Sequence, residues 1–156
     1  MNSPSCSLPP PRRATWPAVT LVVLQFGLAA VLVLSTPLPP AGMIVWMLII
    51  SGSTLAVWAW LTMGRHLRIL PAPDQTATLV DRGPYAWLRH PMYTGLMMVG
   101  GGLLLLHDPR PWRLLLYLTL AIVLVIKGRY EERLLARDLP GYAEYRRHTG
   151  GFLPRL

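Results

Sequence analysis

Gly83-Pro84-Tyr85-Ala86-Trp87-Leu88-Arg89-His90-Pro91-Met92-Tyr93-Thr94-Gly95 stands where a polar interval turns into an apolar run. Prolines, tyrosines, a tryptophan, an arginine and a histidine crowd into this mouth, and a membrane helix needs no such collection simply to start. Two long apolar runs precede the stretch and two shorter ones follow it. The chain therefore reads as an apolar scaffold that holds this mouth against a second polar cluster, Arg129-Tyr130-Glu131-Glu132.

Composition supports that reading. The 156 residues are 53% hydrophobic and only 14% charged, whereas a soluble domain carries about a quarter charged residues. Long runs of Leu, Val, Ile, Met and Ala with so few charges indicate an all-α integral membrane protein. The net charge of +8 would also suit a nucleic-acid partner. The basic residues, however, lie in loops and at the C-terminus, where lipid headgroups meet them, and no basic stripe interleaved with exposed aromatics is present. Nucleic acid is therefore excluded as a partner. Cys6 is the single cysteine, so no disulfide framework or cysteine metal site forms within one chain.

Residues 1–15 are Pro- and Ser-rich and are predicted to be a disordered tail. Residues 16–156 are expected to form one domain with four spans at about 16–36, 42–63, 91–107 and 112–130. The first run is long enough to cross a bilayer, which takes roughly 20 apolar residues. A cleaved signal peptide is the rival reading, but the run exceeds the usual h-region of about 7–15 residues and Ser35-Thr36-Pro37 is a poor cleavage site. In the second run, Ser51-Gly52-Ser53 offers small residues for close packing, and Trp46, Trp58 and Trp60 suit the interface. The third and fourth runs hold about 15 apolar residues each, ~23 Å against a ~30 Å hydrocarbon core.

With the N-terminus inside, Arg12, Arg13, Arg65, Arg68, Arg82, Arg89 and every basic residue from Lys127 onward fall on the cytoplasmic side, leaving Arg110 and Arg113 outside. That asymmetry places both termini in the cytoplasm and puts the two polar clusters on one side of the membrane. After Ile126 nothing breaks a helix until Pro140-Gly141, so the fourth span should continue out of the membrane through Arg137 into a cytosolic helical segment. At helical spacing Glu132 shares a face with Gly128, Val125 and Ala121, small residues that leave room for a ligand. Glu131 has Lys127 one turn back to offset its charge.

The residues alone leave alternatives open. Pro91 suits the first turn of a helix and its neighbours suit a membrane interface, so His90, Tyr93 and Trp87 have a plain structural reading. The Glu131-Glu132 pair at the base of a span is a functional candidate, although a solvated helix end flanked by Arg129 and Arg133 would also satisfy it. His66, His90, His107 and His148 have no metal-ligand spacing, and no metal site is expected. Gly100-Gly101-Gly102 inside an apolar run is expected to admit a neighbouring backbone, not a phosphate.

Leu79-Val80, Gly83-Pro84-Tyr85, Arg89-His90-Pro91-x-Tyr93 and Glu131-Glu132 ahead of Tyr142-x-x-Tyr145 together resemble the isoprenylcysteine carboxyl methyltransferase family, which is related to the membrane phospholipid methyltransferases. The resemblance covers roughly Leu79 to Pro154. It implies a membrane-embedded methyltransferase using S-adenosylmethionine. It implies cofactor contacts from the backbone at Leu79 and Val80, from Tyr85, His90, Pro91 and Tyr93, and from Glu132. It places Arg129 near an acceptor carboxylate. Ala77 stands where eukaryotic members carry a histidine, and Leu139-Pro140-Gly141-Tyr142 replaces a Phe-Gly-x-x-Tyr turn.

Such chemistry needs positioning and exclusion of water more than a catalytic base. A carboxylate acceptor needs only a cation such as Arg129 to orient it, whereas an amine or thiol acceptor would need His90 or Glu131 as base. The expected partners are membrane lipids and a lipophilic or lipidated acceptor, with a prenylcysteine-like carboxylate, a lipid amine and a thiol as the alternatives. An NADPH-binding protein of the related sterol reductase fold and a non-catalytic subunit are the competing classes.

Overall fold

The computed structural model describes residues 16–36, 42–64, 79–106 and 110–155. The N-terminal tail with Cys6, the proline turn at 37–40, Ala77 and the loop at His107 lie outside the described residues.

Among the described residues five α-helices follow in order: α1 Trp16–Leu34, α2 Met43–Met63, α3 Pro91–Leu105, α4 Pro111–Asp138 and α5 Tyr142–His148, with a 3-10 turn at Gly83–Ala86 before α3. The three long helices α1, α2 and α4 are apolar enough to cross a membrane, and α3 is a shorter apolar helix of 15 residues. The protein is an all-α membrane protein. Pro91 opens α3 and Pro111 opens α4, at the helix position where the missing proline N–H costs nothing. The 28-residue α4 is long enough, at ~42 Å, to cross a bilayer and project beyond it. It ends at Asp138 because Pro140 drives Leu139 into extended backbone, with ψ 111°.

Burial within the long helices is confined to narrow seams. On α1 only Ala18, Gln25 and Leu32 are buried, and on α2 only Gly52 and Ala59. Both sets repeat every seventh residue, so one line of each helix touches its neighbour and the rest faces outward. Val23, Phe26, Ile44, Ile50, Leu115 and Ile122 are among the large apolar side chains left exposed, as lipid contact requires. Helix α1 packs chiefly on α4, and α2 chiefly on α3.

Small residues set the α2–α3 distance, since in lipid close backbone approach replaces the hydrophobic effect as the packing force. A Cβ on Gly95 would lie 2.5 Å from the Gly52 carbonyl oxygen, and one on Gly52 would lie 2.7 Å from the Gly95 oxygen. In the Gly100–Gly102 run, Gly102 faces Ile49 and the Val45 carbonyl, while Gly100 and Gly101 face the Tyr117 ring. That run therefore admits a neighbouring backbone, as expected, only at Gly102, and side chains at Gly100 and Gly101. Arg113 also departs from expectation. It is buried, and its Nη2 donates to Thr36 Oγ1 at 2.6 Å and to the Leu103 carbonyl at 2.8 Å, closing one end of the bundle.

Candidate active site

The mouth of α3 is shaped by three local devices. Gly83 adopts φ 59°, a conformation open to glycine, and a Cβ there would crowd Thr62 at the end of α2. The 3-10 turn that follows aims Trp87 edge-on at Trp58, with ring centroids 6.0 Å apart. Residues 87–90 then run beside the C-terminal segment as a short parallel pairing centred on Leu88 and Gly150. Arg89 N donates to Gly150 O at 2.7 Å, His90 N to Gly151 O at 3.2 Å, and Gly150 N to Trp87 O at 3.1 Å. Thr94 Oγ1 donates to Phe152 O at 2.8 Å. The C-terminal segment is thus tied to the first turn of α3.

Glu132 is the centre of one half of the site. Its Oε1 accepts Arg89 Nε at 2.8 Å and lies 3.1 Å from His90 Nε2, while its Oε2 lies 3.8 Å from Arg146 Nε. Arg89 also donates Nη1 to the carbonyls of Arg146 and Thr149. One guanidinium therefore joins α3, α4 and the end of α5, with a charge-assisted bond as its anchor.

Glu131 belongs to the other half. Tyr93 Oη donates to Glu131 Oε1 and Oε2 at 2.7 and 2.8 Å, and His90 Nδ1 lies 4.0 Å from Oε2. The His90 ring thus bridges the two carboxylates. It stacks on Tyr93 at 5.4 Å between centroids, inclined by 7°, and on Phe152 at 5.1 Å. The small face through Gly128 was expected to leave room for a ligand. That room is filled: a Cβ on Gly128 would meet Phe152 Cζ at 2.9 Å and His90 Nε2 at 3.2 Å.

An open cleft of about 450 Å³ lies on the Glu132 side, lined by Arg89, Arg129, Glu132, Arg133 and Arg146 with Gly151 and Phe152. Arg129 and Glu132, three residues apart, share this wall. Glu131, two residues from Arg129, is turned away from it. The structure therefore separates the two residues singled out for catalysis. Tyr85 is buried, its hydroxyl directed to Met63 Sδ at 3.8 Å and its carbonyl accepting Tyr145 Oη at 2.7 Å. Burial, with Tyr145 and Glu131 nearby, pushes the Tyr85 phenol up, and burial likewise raises Tyr145 to about 12. Pro91 is fully buried as the first residue of α3, and Leu79 and Val80 are half-buried ahead of the 3-10 turn.

The phospholipid methyltransferase family profile matches residues 41–140, well over half of the chain. The chain belongs to the phospholipid methyltransferase family. Two curated relatives are the cobalt-zinc-cadmium resistance protein CzcN of Cupriavidus metallidurans and the nickel-cobalt-cadmium resistance protein NccN of Alcaligenes xylosoxydans xylosoxydans. The first is 38% identical over 51% of this chain and 37% of its own length; the second is 33% identical over 61% and 45%. The chain thus spans less than half the length of these relatives.

As a phospholipid methyltransferase family member, the chain carries much of its cleft outside the matched residues. Arg146, Gly151 and Phe152 all lie beyond position 140. Sequence reasoning did not single them out, because a short polar C-terminus shows no periodicity. Arg89 stood inside the Arg-His-Pro motif without a role, and its reach to Glu132 depends on a contact across 43 positions. Gln25 was also unassigned, although a lone amide in an apolar run was a visible signal.

Proposed function

We propose that this protein transfers a methyl group from S-adenosylmethionine to a lipophilic acceptor at the cytoplasmic face of a membrane, with both chain termini on that face. Family membership supports methyl transfer, and the observation that carries the cofactor reading is the paired charge of the cleft. S-adenosylmethionine bears a carboxylate, an ammonium, a sulfonium and an adenine. Arg133 and Arg146 suit the carboxylate, Glu132 suits a positive centre, and the aromatic group of His90, Tyr93 and Phe152 suits a cation or a flat ring.

When bound, the cofactor would supply an activated methyl group on positive sulfur, open to displacement by an acceptor's lone pair. The chain's part is orientation. Arg89 and His90 fix Glu132, the Gly150–Phe152 segment closes against α3, and Arg129 offers a cation to an anionic acceptor. An acceptor carrying a proton would need His90 or Glu131 as its base.

Metal resistance is named for the two relatives. In this protein such a role would run through modification of a membrane component. Calorimetry on the detergent-purified protein tests the central reading. Native protein should bind S-adenosylmethionine, and His90→Ala and Glu132→Ala should weaken that binding. Absence of binding to the native protein overturns it, and NADPH binding in its place would indicate the reductase alternative.

A further inference from the structure

Lys127 is a buried cation that the cleft does not use. Only 4% of it is exposed, and it follows the apolar run Leu124-Val125-Ile126 on α4. An ammonium in such surroundings is costly unless paired, so a position chosen for packing alone would carry an apolar residue. Its partners come from three helices. Nζ donates to Gln25 Oε1 of α1 at 2.8 Å, lies 5.0 Å from the centroid of the Tyr93 ring of α3, and stands 3.9 Å from Glu131 Oε1 one turn on.

Gln25 is the polar member of the buried α1 seam otherwise formed by Ala18 and Leu32. Helix α1 precedes the family match, which begins at residue 41. A contact from α1 to the reactive end of α4 is therefore a property of this chain that the match does not supply. Glu131 receives Tyr93 Oη on both oxygens, with His90 Nδ1 at 4.0 Å and Tyr85 within electrostatic reach. Lys127 is the cation nearest to it among these groups. A hydroxyl within reach of both carboxyl oxygens is compatible with an ionised acceptor, and Lys127 is placed to favour that state.

We propose that Lys127, held by Gln25, is a positioning residue: it keeps Glu131 as a carboxylate, and through it the Tyr93 hydroxyl and ring keep their orientation. Helix α1 is then part of the reactive site and not only a membrane anchor. The catalytic part of this inference rests on the methyl-transfer reading; the charge contact does not.

The test uses the full chain in lipid nanodiscs, with infrared spectra at neutral pH. Subtracting the spectrum of Glu131→Gln isolates the signal of residue 131. Native protein and Lys127→Arg should show a carboxylate, Lys127→Met a protonated carboxyl, and Gln25→Leu an intermediate mixture. In parallel, transfer from radiolabelled donor into membranes is measured at saturating donor. Lys127→Met should fall about tenfold or more with donor affinity within about twofold, Lys127→Arg should recover most of the rate, and Lys127→Met should add little to Glu131→Gln. An unchanged carboxylate signal in Lys127→Met overturns the proposal, as does full additivity with Glu131→Gln. If Lys127→Met does not fold, Gln25→Leu decides, and a native-like signal in it overturns the proposal. Should native protein transfer no methyl group, the methyltransferase reading fails while the spectra still decide the charge contact.

Discussion

Arg89 and Glu132 lie 43 positions apart and meet at 2.8 Å, Nε to Oε1, with side chains only 14% and 11% exposed. This pair joins the mouth of α3 to α4, and its guanidinium also holds the turn after α5. Truncating Glu132 leaves Arg89 and His90 facing each other without the anion. Loss of one member of a buried pair costs about 3 kcal/mol, so Glu132→Ala should unfold at clearly lower temperature than native protein in detergent. Glu132→Gln keeps a hydrogen-bond acceptor and should lose about half as much. Circular dichroism through thermal unfolding measures both, and equal stability of native protein and Glu132→Ala would refute the pair's structural role.

The Gly52–Gly95 contact sets the α2–α3 spacing. Its nearest obstacles are backbone atoms, which cannot rotate away. Gly95→Val should destabilise the fold by about 1–3 kcal/mol, the usual penalty for overpacking. Gly27 in α1 has nothing within 4 Å of where its Cβ would stand, so Gly27→Ala should be neutral or slightly stabilising. Parallel melting curves of the two variants give the comparison.

Gly128 decides how closely His90 and Phe152 approach α4. Gly128→Ala should displace the Phe152 ring, whose Cζ lies 2.9 Å from the added carbon, and should weaken donor binding several-fold. Phe152→Leu should relieve part of that loss in the double variant. The sign of the coupling in a double-mutant cycle is the discriminating result.

Tyr145 closes the C-terminal helix on the mouth by donating to Tyr85 O at 2.7 Å. Tyr145→Phe should cost about 1 kcal/mol, the net worth of one hydrogen bond. Burial raises the phenol from 10.0 to about 12, so the folded state holds the proton more tightly than the unfolded chain. That contribution is fully present below pH 10 and is lost as pH rises through about 12. Stability measured across this alkaline window should fall less steeply in Tyr145→Phe than in native protein.

Much of this arrangement was legible in the residues, for physical reasons that can be named. Apolar length announced α1 and α2, the absence of a breaker between Ile126 and Pro140 announced the extension of α4, and Pro91 and Pro140 marked where a helix begins and ends. Helical spacing separated Glu132 from Glu131, and the structure gives Glu132 to Arg89 and Glu131 to Tyr93, with His90 between them. What stayed hidden were contacts that periodicity does not encode: Arg89 reaching Thr149, Gln25 reaching Lys127, and Phe152 filling the space over Gly128. Arg113 misled for a related reason. Counting charges by side assumes that each faces water or headgroups, whereas this one turns inward to Thr36 and the Leu103 carbonyl.

Arg129 offers the most direct test of what the cleft recognises. It is exposed on the cleft wall beside Arg133 and Arg146, so removing it should leave the helix intact. If it orients an anionic acceptor, Arg129→Ala should raise the amount of acceptor membrane needed for half-maximal transfer by about ten- to a hundredfold. That range corresponds to one charge-assisted hydrogen bond of about 1.5–3 kcal/mol. Donor binding by calorimetry should change by less than about twofold. Arg137, exposed two turns further along α4 and outside the cleft, carries the same charge, and Arg137→Ala should behave as native protein. A matched loss in both variants would mean that general attraction to anionic lipid, screened by salt, and not the geometry of the cleft, accounts for the effect.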